Sequence, residues 1–131
     1  MPIPRTRDDQ DMEAAAVLAK VERRRRKGVD VIVVPSDLGD TGLLELRREL
    51  IASTGPDVDR LEVDLRDAGQ VDATVLGMLS DAARLRSRWG GTIAVRCASP
   101  ELIRILRLTL LDRLIDVVPT REAAAAVRRA A

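Results

Sequence analysis

Reactive side chains are few in this chain, and their types exclude most kinds of catalysis. Histidine is absent from the 131 residues, so the commonest acid–base group at neutral pH is missing. Neither a Ser–His–Asp nor a Cys–His arrangement can therefore form. The single cysteine, Cys97, excludes an internal disulfide and a zinc site built from cysteines. Because Cys97 ends an apolar strand pattern, burial as an inert thiol is favoured over a redox role, and we expect a protein that is not an enzyme.

Two further patterns could hold a phosphate or a metal ion, and neither has the required spacing. The segment Gly39–Asp40–Thr41–Gly42 does not match a glycine-rich phosphate-binding loop. The acidic side chains are scattered through predicted loops and strands without the spacing of a calcium loop; examples are Asp57, Asp59, Asp64 and Asp67. We interpret these acids as solvated surface charges, and we expect neither a metal site nor a cofactor.

The charge balance and the lack of aromatic residues argue against nucleic acid as the partner. There are 22 basic and 21 acidic side chains, one Trp, and no Tyr or Phe, whereas nucleic-acid binders show a basic excess and often stack bases on aromatic rings. The run Arg23–Lys27 could contact an anion or RNA, but the near-neutral net charge favours a solvated hairpin turn or helix end.

Membrane insertion is not expected from the hydropathy pattern. Apolar runs such as Val31–Val34 are far shorter than the ~20 residues of a spanning helix. The N-terminus shows no apolar signal-peptide segment. We therefore expect a cytoplasmic location.

Strands alternate with helices from residue 29 onward, within a length typical of one domain. Residues 1–11 are predicted to be a flexible tail, and residues 12–131 one domain. Alternating or β-branched patterns predict strands at Val29–Pro35, Leu61–Leu65, Thr92–Cys97 and Ile115–Val118. Helical spacing of apolar residues predicts helices over 43–51, 75–85 and 102–110, with an Ala-rich helix after Thr120. This order predicts an α/β fold with a mainly parallel central sheet of four or five strands and about four helices.

Several helix boundaries carry their own signals. Asp72 and Thr74 are both suited to cap the second helix, and Ser99–Pro100 is a cap followed by proline at the first helical position. Gly39 and Gly42 are predicted to bracket a loop ahead of the first helix. Trp89, at the end of the second helix, could anchor an interface or cover the core. These two alternatives stay open at the level of the sequence.

Residues 12–27 fit two structures. Ala14, Val17 and Leu18 follow a helical stripe, whereas Val17, Ala19 and Val21 alternate as in a strand. Propensity alone favours the helix.

Three stretches of the second half resemble the STAS domain, the family of sulfate-transporter C-terminal domains and bacterial anti-sigma-factor antagonists. Together they cover about half of the chain, and their order matches that of the family. They are Leu61–Leu65 with Val71–Gly77, Ala83–Val95 across Gly90–Gly91, and Ser99–Leu106 with Leu110–Ile115. The resemblance implies a single STAS-like domain beginning with a β-hairpin, which favours two strands over residues 16–34, joined at Arg25–Gly28.

The resemblance also implies a partner and a switch. In antagonist members of the family a partner kinase phosphorylates a hydroxyl residue that corresponds here to Thr74. The implied partner is an anti-sigma factor that is also a serine/threonine protein kinase; it would bind the unphosphorylated chain, and self-association stays open. The implied partner-binding residues are Asp72, Ala73, Thr74, Val75, Gly77, Met78 and Asp40.

This segment departs from the family pattern at two positions. Ala73 replaces a serine, and Val75 replaces a glycine; because a β-branched residue does not readily adopt positive φ, the local loop is expected to differ. These changes favour an alternative, a STAS scaffold or regulatory subunit without phosphorylation, as in stress-sensing assemblies or lipid-transport complexes.

Overall fold

The computed structural model describes residues 21–130. The predicted tail at 1–11 and the helix-or-strand question for residues 12–20 lie outside this range. The strands are β1 Glu22–Arg26, β2 Val29–Val33, β3 Arg60–Asp64, β4 Thr92–Cys97 and β5 Ile115–Pro119. The helices are α1 Gly39–Ala52, α2 Ala73–Ser87, α3 Pro100–Leu108 and α4 Arg121–Ala130, with a short 3₁₀ turn at Leu111–Arg113.

The five strands form one sheet in the order β1-β2-β3-β4-β5. β1 and β2 are antiparallel, and the remaining neighbours are parallel. The α/β class, the mainly parallel sheet and the N-terminal hairpin predicted from the sequence are confirmed.

From β2 to β5, each strand lies next to the preceding one in the same direction across the sheet. This order determines where the connecting helices lie. Because such crossovers are right-handed, α1, α2 and α3 share one face of the sheet. Strand residues on that face are fully buried, among them Ile32, Leu61, Val63, Ile93 and Val95. Helix residues that complete the core include Leu46, Leu79 and Leu106.

The opposite face of the sheet carries a network of ion pairs next to valine side chains. Glu62 lies 3.5 Å from Arg60 and 3.4 Å from Arg96, and Arg60 also reaches Asp116 at 3.3 Å. Val31 is the cross-strand neighbour of Glu62. This face is only partly covered within residues 21–130.

The arginine run lies in a strand, which corrects its prediction as a turn. The hairpin is closed by Lys27 (φ 49°) and Gly28 (φ 81°), a two-residue turn of the kind that matches strand twist. Arg23 is left in β1, where its Nε donates to buried Asp30 at 3.0 Å. Pairing of alternate arginines with this carboxylate explains how a charged run can form a strand.

Two other details of the sequence prediction were wrong, and one of two open alternatives is excluded. Gly39 and Gly42 belong to the first turn of α1 rather than to a loop. The apolar spacing places Ile51 on the same helix face as Leu46 and Leu50, but it is 56% exposed, because it lies about 100° around the helix from buried Leu50. Of the two alternatives for Trp89, covering the core is excluded, because the residue is 61% exposed.

Candidate functional site

Two loops meet at the carboxyl ends of β2 and β3, where parallel α/β folds place their binding sites. The Val34 amide donates to the Asp64 carbonyl at 3.0 Å, which continues the sheet into the loops. A side chain at Gly69 would lie 3.1 Å from the Ser36 carbonyl, so the loops are in close contact there. Glycine at position 69 permits this approach.

Asp64 and Arg66 fix the start of the loop that leads to α2. Arg66 binds the carboxylate through Nε (3.0 Å) and Nη2 (2.7 Å), and its backbone amide donates to Oδ1 at 3.0 Å. Burial of Asp64 acts to raise its pKa, but the side-chain and backbone hydrogen bonds from Arg66 outweigh burial and lower the pKa. The carboxylate therefore stays charged and holds the loop at neutral pH.

The N-terminus of α2 is capped by Asp72, not by Thr74. Asp72 has extended backbone angles and accepts a hydrogen bond from the Val75 amide at 3.1 Å. Ala73 begins the helix, so Thr74 is its second residue. The Thr74 side chain is exposed. The sequence could not separate the two caps because both residue types suit that position.

The predicted site residues divide between two sides of this helix end. Asp40 and Asp72 line a cavity of about 270 Å³ between the two loops, which we call the loop cavity. Val75 also borders it, but its side chain is buried at 3% exposure and packs into the core. Val75 is therefore a packing residue rather than a surface that a partner can contact. Its helical position also removes the question of positive φ there.

Ala73, Thr74, Gly77 and Met78 lie on the other side, along a groove of about 680 Å³ between α1 and α2. We call it the α1–α2 groove. Its floor is apolar and is contributed by both helices, with Leu50, Ile51, Met78, Ala82 and Leu85.

Three arginines along this groove were missed at the level of the sequence. They are Arg47 of α1 and Arg84 and Arg88 at the end of α2. Their helical spacing from Thr74 and Gly77 places Arg84 and Arg88 on the same face, which is a signal the sequence did contain.

Within the described residues there is neither a cluster of metal-ligating side chains nor an ionised thiol. Among residues 21–130 no three His, Cys, Asp or Glu side chains are grouped to hold a metal ion. Burial raises the pKa of the Cys97 thiol to about 11, so it remains protonated. No helix in this range combines the length and the hydropathy required to span a bilayer.

Comparison with known proteins identifies the family. A family model described as Mlab, STAS domain matches residues 21–119. No curated protein matches the chain significantly by sequence.

Several solved structures share the fold. An anti-sigma factor antagonist from Mycobacterium paratuberculosis superimposes with a TM-score of 0.66 at 23% identity, over 83% of this chain and 93% of that one. The Bacillus cell fate determinant SpoIIAA in its phosphorylated form gives 0.64 at 14% identity, over 83% and 98%. An anti-sigma-factor antagonist (STAS) domain protein from Planctomyces limnophilus gives 0.63 at 17% identity, over 85% and 98%. The family model covers well over half of the chain, which therefore belongs to the STAS domain family.

Proposed function

We propose that this chain is an anti-sigma-factor antagonist that binds a kinase-type anti-sigma factor while Thr74 is unmodified and is released when Thr74 is phosphorylated. The exposed Thr74 hydroxyl in the first turn of α2, beside an apolar groove, is the observation that carries the proposal. The shared fold with antagonists, one of them solved in a phosphorylated form, supports it.

Charge explains how the switch works. The kinase transfers the γ-phosphoryl group of ATP to the Thr74 Oγ1; ADP leaves and the hydroxyl proton passes to a kinase base. The phosphate adds roughly −1.5 to −2 charges at pH 7. The positive N-terminal end of the α2 dipole tolerates this charge. A partner packed over the same turn would instead have to bury the phosphate beside Asp72, which costs several kcal/mol without compensation.

The first test is phosphorylation in vitro by a candidate anti-sigma kinase, followed by mass spectrometry. We expect phosphate on Thr74 and no phosphorylation of Thr74→Ala. Phosphate confined to other residues would contradict the switch.

The second test measures kinase binding by variants. Thr74→Glu should weaken binding by at least about a hundredfold, equivalent to about 2.8 kcal/mol, while Thr74→Ala binds like the parent. Thr109→Glu is the control, because Thr109 is also exposed but follows α3 and lies outside the groove. Equal affinity of the two Thr74 variants would place this residue outside the interface.

A second candidate is a regulatory subunit that uses the same surface without phosphorylation. Ala73 and Val75 depart from the phosphorylated motif, and Val75 is buried, which favours this alternative. Affinity purification separates the two: a histidine-kinase-like ATPase supports the switch, whereas a transporter component or a large assembly of the chain itself supports the subunit.

A further inference from the structure

We propose that the α1–α2 groove receives an acidic amphipathic helix from the protein partner. This inference rests on the proposed function in that it names the chemistry of the partner at the same end of the molecule.

The shape of the groove fits a helix. It runs along α2 from Ala73 to Arg88, a length of about 23 Å at ~1.5 Å per residue. Its apolar floor lies between two helices, as in known helix-in-groove recognition. Ile51 is 56% exposed on this floor, and apolar groups of a partner would cover it.

The charge of the groove selects an acidic occupant. Arg47, Arg84 and Arg88 line it against one acid, Asp81. The three arginines are exposed, and within residues 21–130 none forms an ion pair with a carboxylate. Positive groups flanking an apolar floor complement a helix with leucines on one face and glutamates on its flanks.

Gly77 provides a second, independent observation. It lies in the interior of α2, where glycine is unfavourable relative to alanine. A Cβ there would meet no atom within 4 Å, so packing within the chain does not require glycine. Glycine leaves the wall of the groove open to the close approach of another helix.

The test is selection from a displayed library of amphipathic helices about 16 residues long, which matches the groove. The apolar face is kept as leucine, and the flanking positions vary among Glu, Gln and Lys. We expect Glu to be enriched over Lys at least tenfold, and chemical-shift changes in NMR spectra to map to the groove. Enrichment of Lys or Gln, no enrichment, or shifts elsewhere would overturn the proposal.

Charge reversal provides the matched control. Arg47→Glu combined with Arg84→Glu should weaken binding of the selected peptide about tenfold or more, because two rim charges are lost and inverted. The same double variant should bind the peptide with Lys in place of Glu more tightly than it binds the Glu peptide. Arg104→Glu with Arg107→Glu, on exposed positions of α3, should leave affinity unchanged. If both double variants behave alike, the groove does not select the peptide by charge.

Two further probes represent other classes of partner, nucleic acid and lipid membrane. A comparison of variants then separates the acidic-helix proposal from the phosphorylation switch. Stronger binding of a 20-nucleotide RNA or of anionic vesicles than of the acidic peptide, at the same arginines, would overturn the inference. Kinase binding that the arginine reversals weaken but Thr74→Glu leaves unchanged would keep the groove and remove the switch. Kinase binding that responds to Thr74→Glu but not to the arginine reversals would keep the proposed function and remove the acidic helix.

Discussion

At the scale of single residues, neighbouring positions of α2 have different roles. Asp72 caps the helix, Thr74 is exposed, and Val75 is buried. A modification at Thr74 would therefore alter the surface without removing the cap. This separation allows the stability of the fold and the proposed switch to be measured independently.

Asp72→Ala is expected to lower the free energy of unfolding by about 1 kcal/mol, because the Val75 amide loses its acceptor. Urea denaturation followed by circular dichroism measures the change. Asp72→Asn keeps a capping oxygen and should retain most of the stability. If Asn cost as much as Ala, charge rather than capping would explain the role of Asp72.

Cys97 is expected to make the folded state less stable at alkaline pH. Burial raises its pKa from 9.0 to about 11, so the unfolded chain loses the thiol proton at lower pH than the folded one. The stability from the protonated thiol is present in full below pH 9 and is lost as the pH rises toward 11, by up to about 2 kcal/mol.

Urea denaturation across this pH range tests the effect, with Cys97→Ala as the control. The chain has two lysines and no tyrosine, so few other groups titrate there. An equal decline in the parent and in Cys97→Ala would contradict the assignment.

At the scale of elements, a buried arginine joins the end of α2 to the segment between α1 and β3. Arg86 is 1% exposed, and its guanidinium donates to the carbonyls of Gly55 (3.1 Å), Val58 (2.6 Å) and Asp59 (3.0 Å). A Cβ at Gly91 would lie 2.5 Å from its Cζ. The guanidinium cannot move aside without losing its hydrogen bonds, so glycine is required at position 91.

Gly91→Ala is expected to destabilise the protein by about 2 kcal/mol through this clash. Arg86→Met should cost about 3 kcal/mol, because three carbonyls lose a buried donor. The double variant should cost clearly less than the sum, since the clash disappears with the guanidinium. Strictly additive losses in thermal denaturation would show that the two residues do not interact.

The elements were predictable from the sequence to different degrees. β3 and β4 were recognisable because one strand face is uniformly apolar, and α3 because Ser99–Pro100 marks its start. The strand character of Arg23–Arg26 was not, because it depends on pairing with β2 and on buried Asp30. The α1–α2 groove was not predictable either, since its two walls come from segments about 30 residues apart whose contact requires the fold.

At the scale of the whole molecule, the sheet face opposite the helices carries valines that could promote association with other molecules. Glu62 lies between Val31 and Ala94 across the strands and contacts Arg60 and Arg96. Charges at such positions interrupt an apolar surface that would otherwise bind another sheet.

Glu62→Val is expected to cause concentration-dependent self-association, measured by light scattering, because it joins the valines into one patch. Its effect on the free energy of unfolding should stay within about 1 kcal/mol, because the partner arginines Arg60 and Arg96 are 40% and 43% exposed and solvent screens both pairs. Glu62→Gln, which keeps a polar group, should remain as dispersed as the parent. Equal scattering by both variants would show that polarity at position 62 does not control association.

The exposed position of Trp89 has an optical consequence. Trp89 is the sole aromatic residue of the chain, and it directly follows Arg88 at the end of the α1–α2 groove. Its emission therefore reports one location, and a bound partner that shields the indole from water should shift that emission to shorter wavelength. Unfolding should shift it little, since the ring is already 61% exposed. Intrinsic fluorescence is thus suited to following occupancy of the groove, and poorly suited to following loss of the fold.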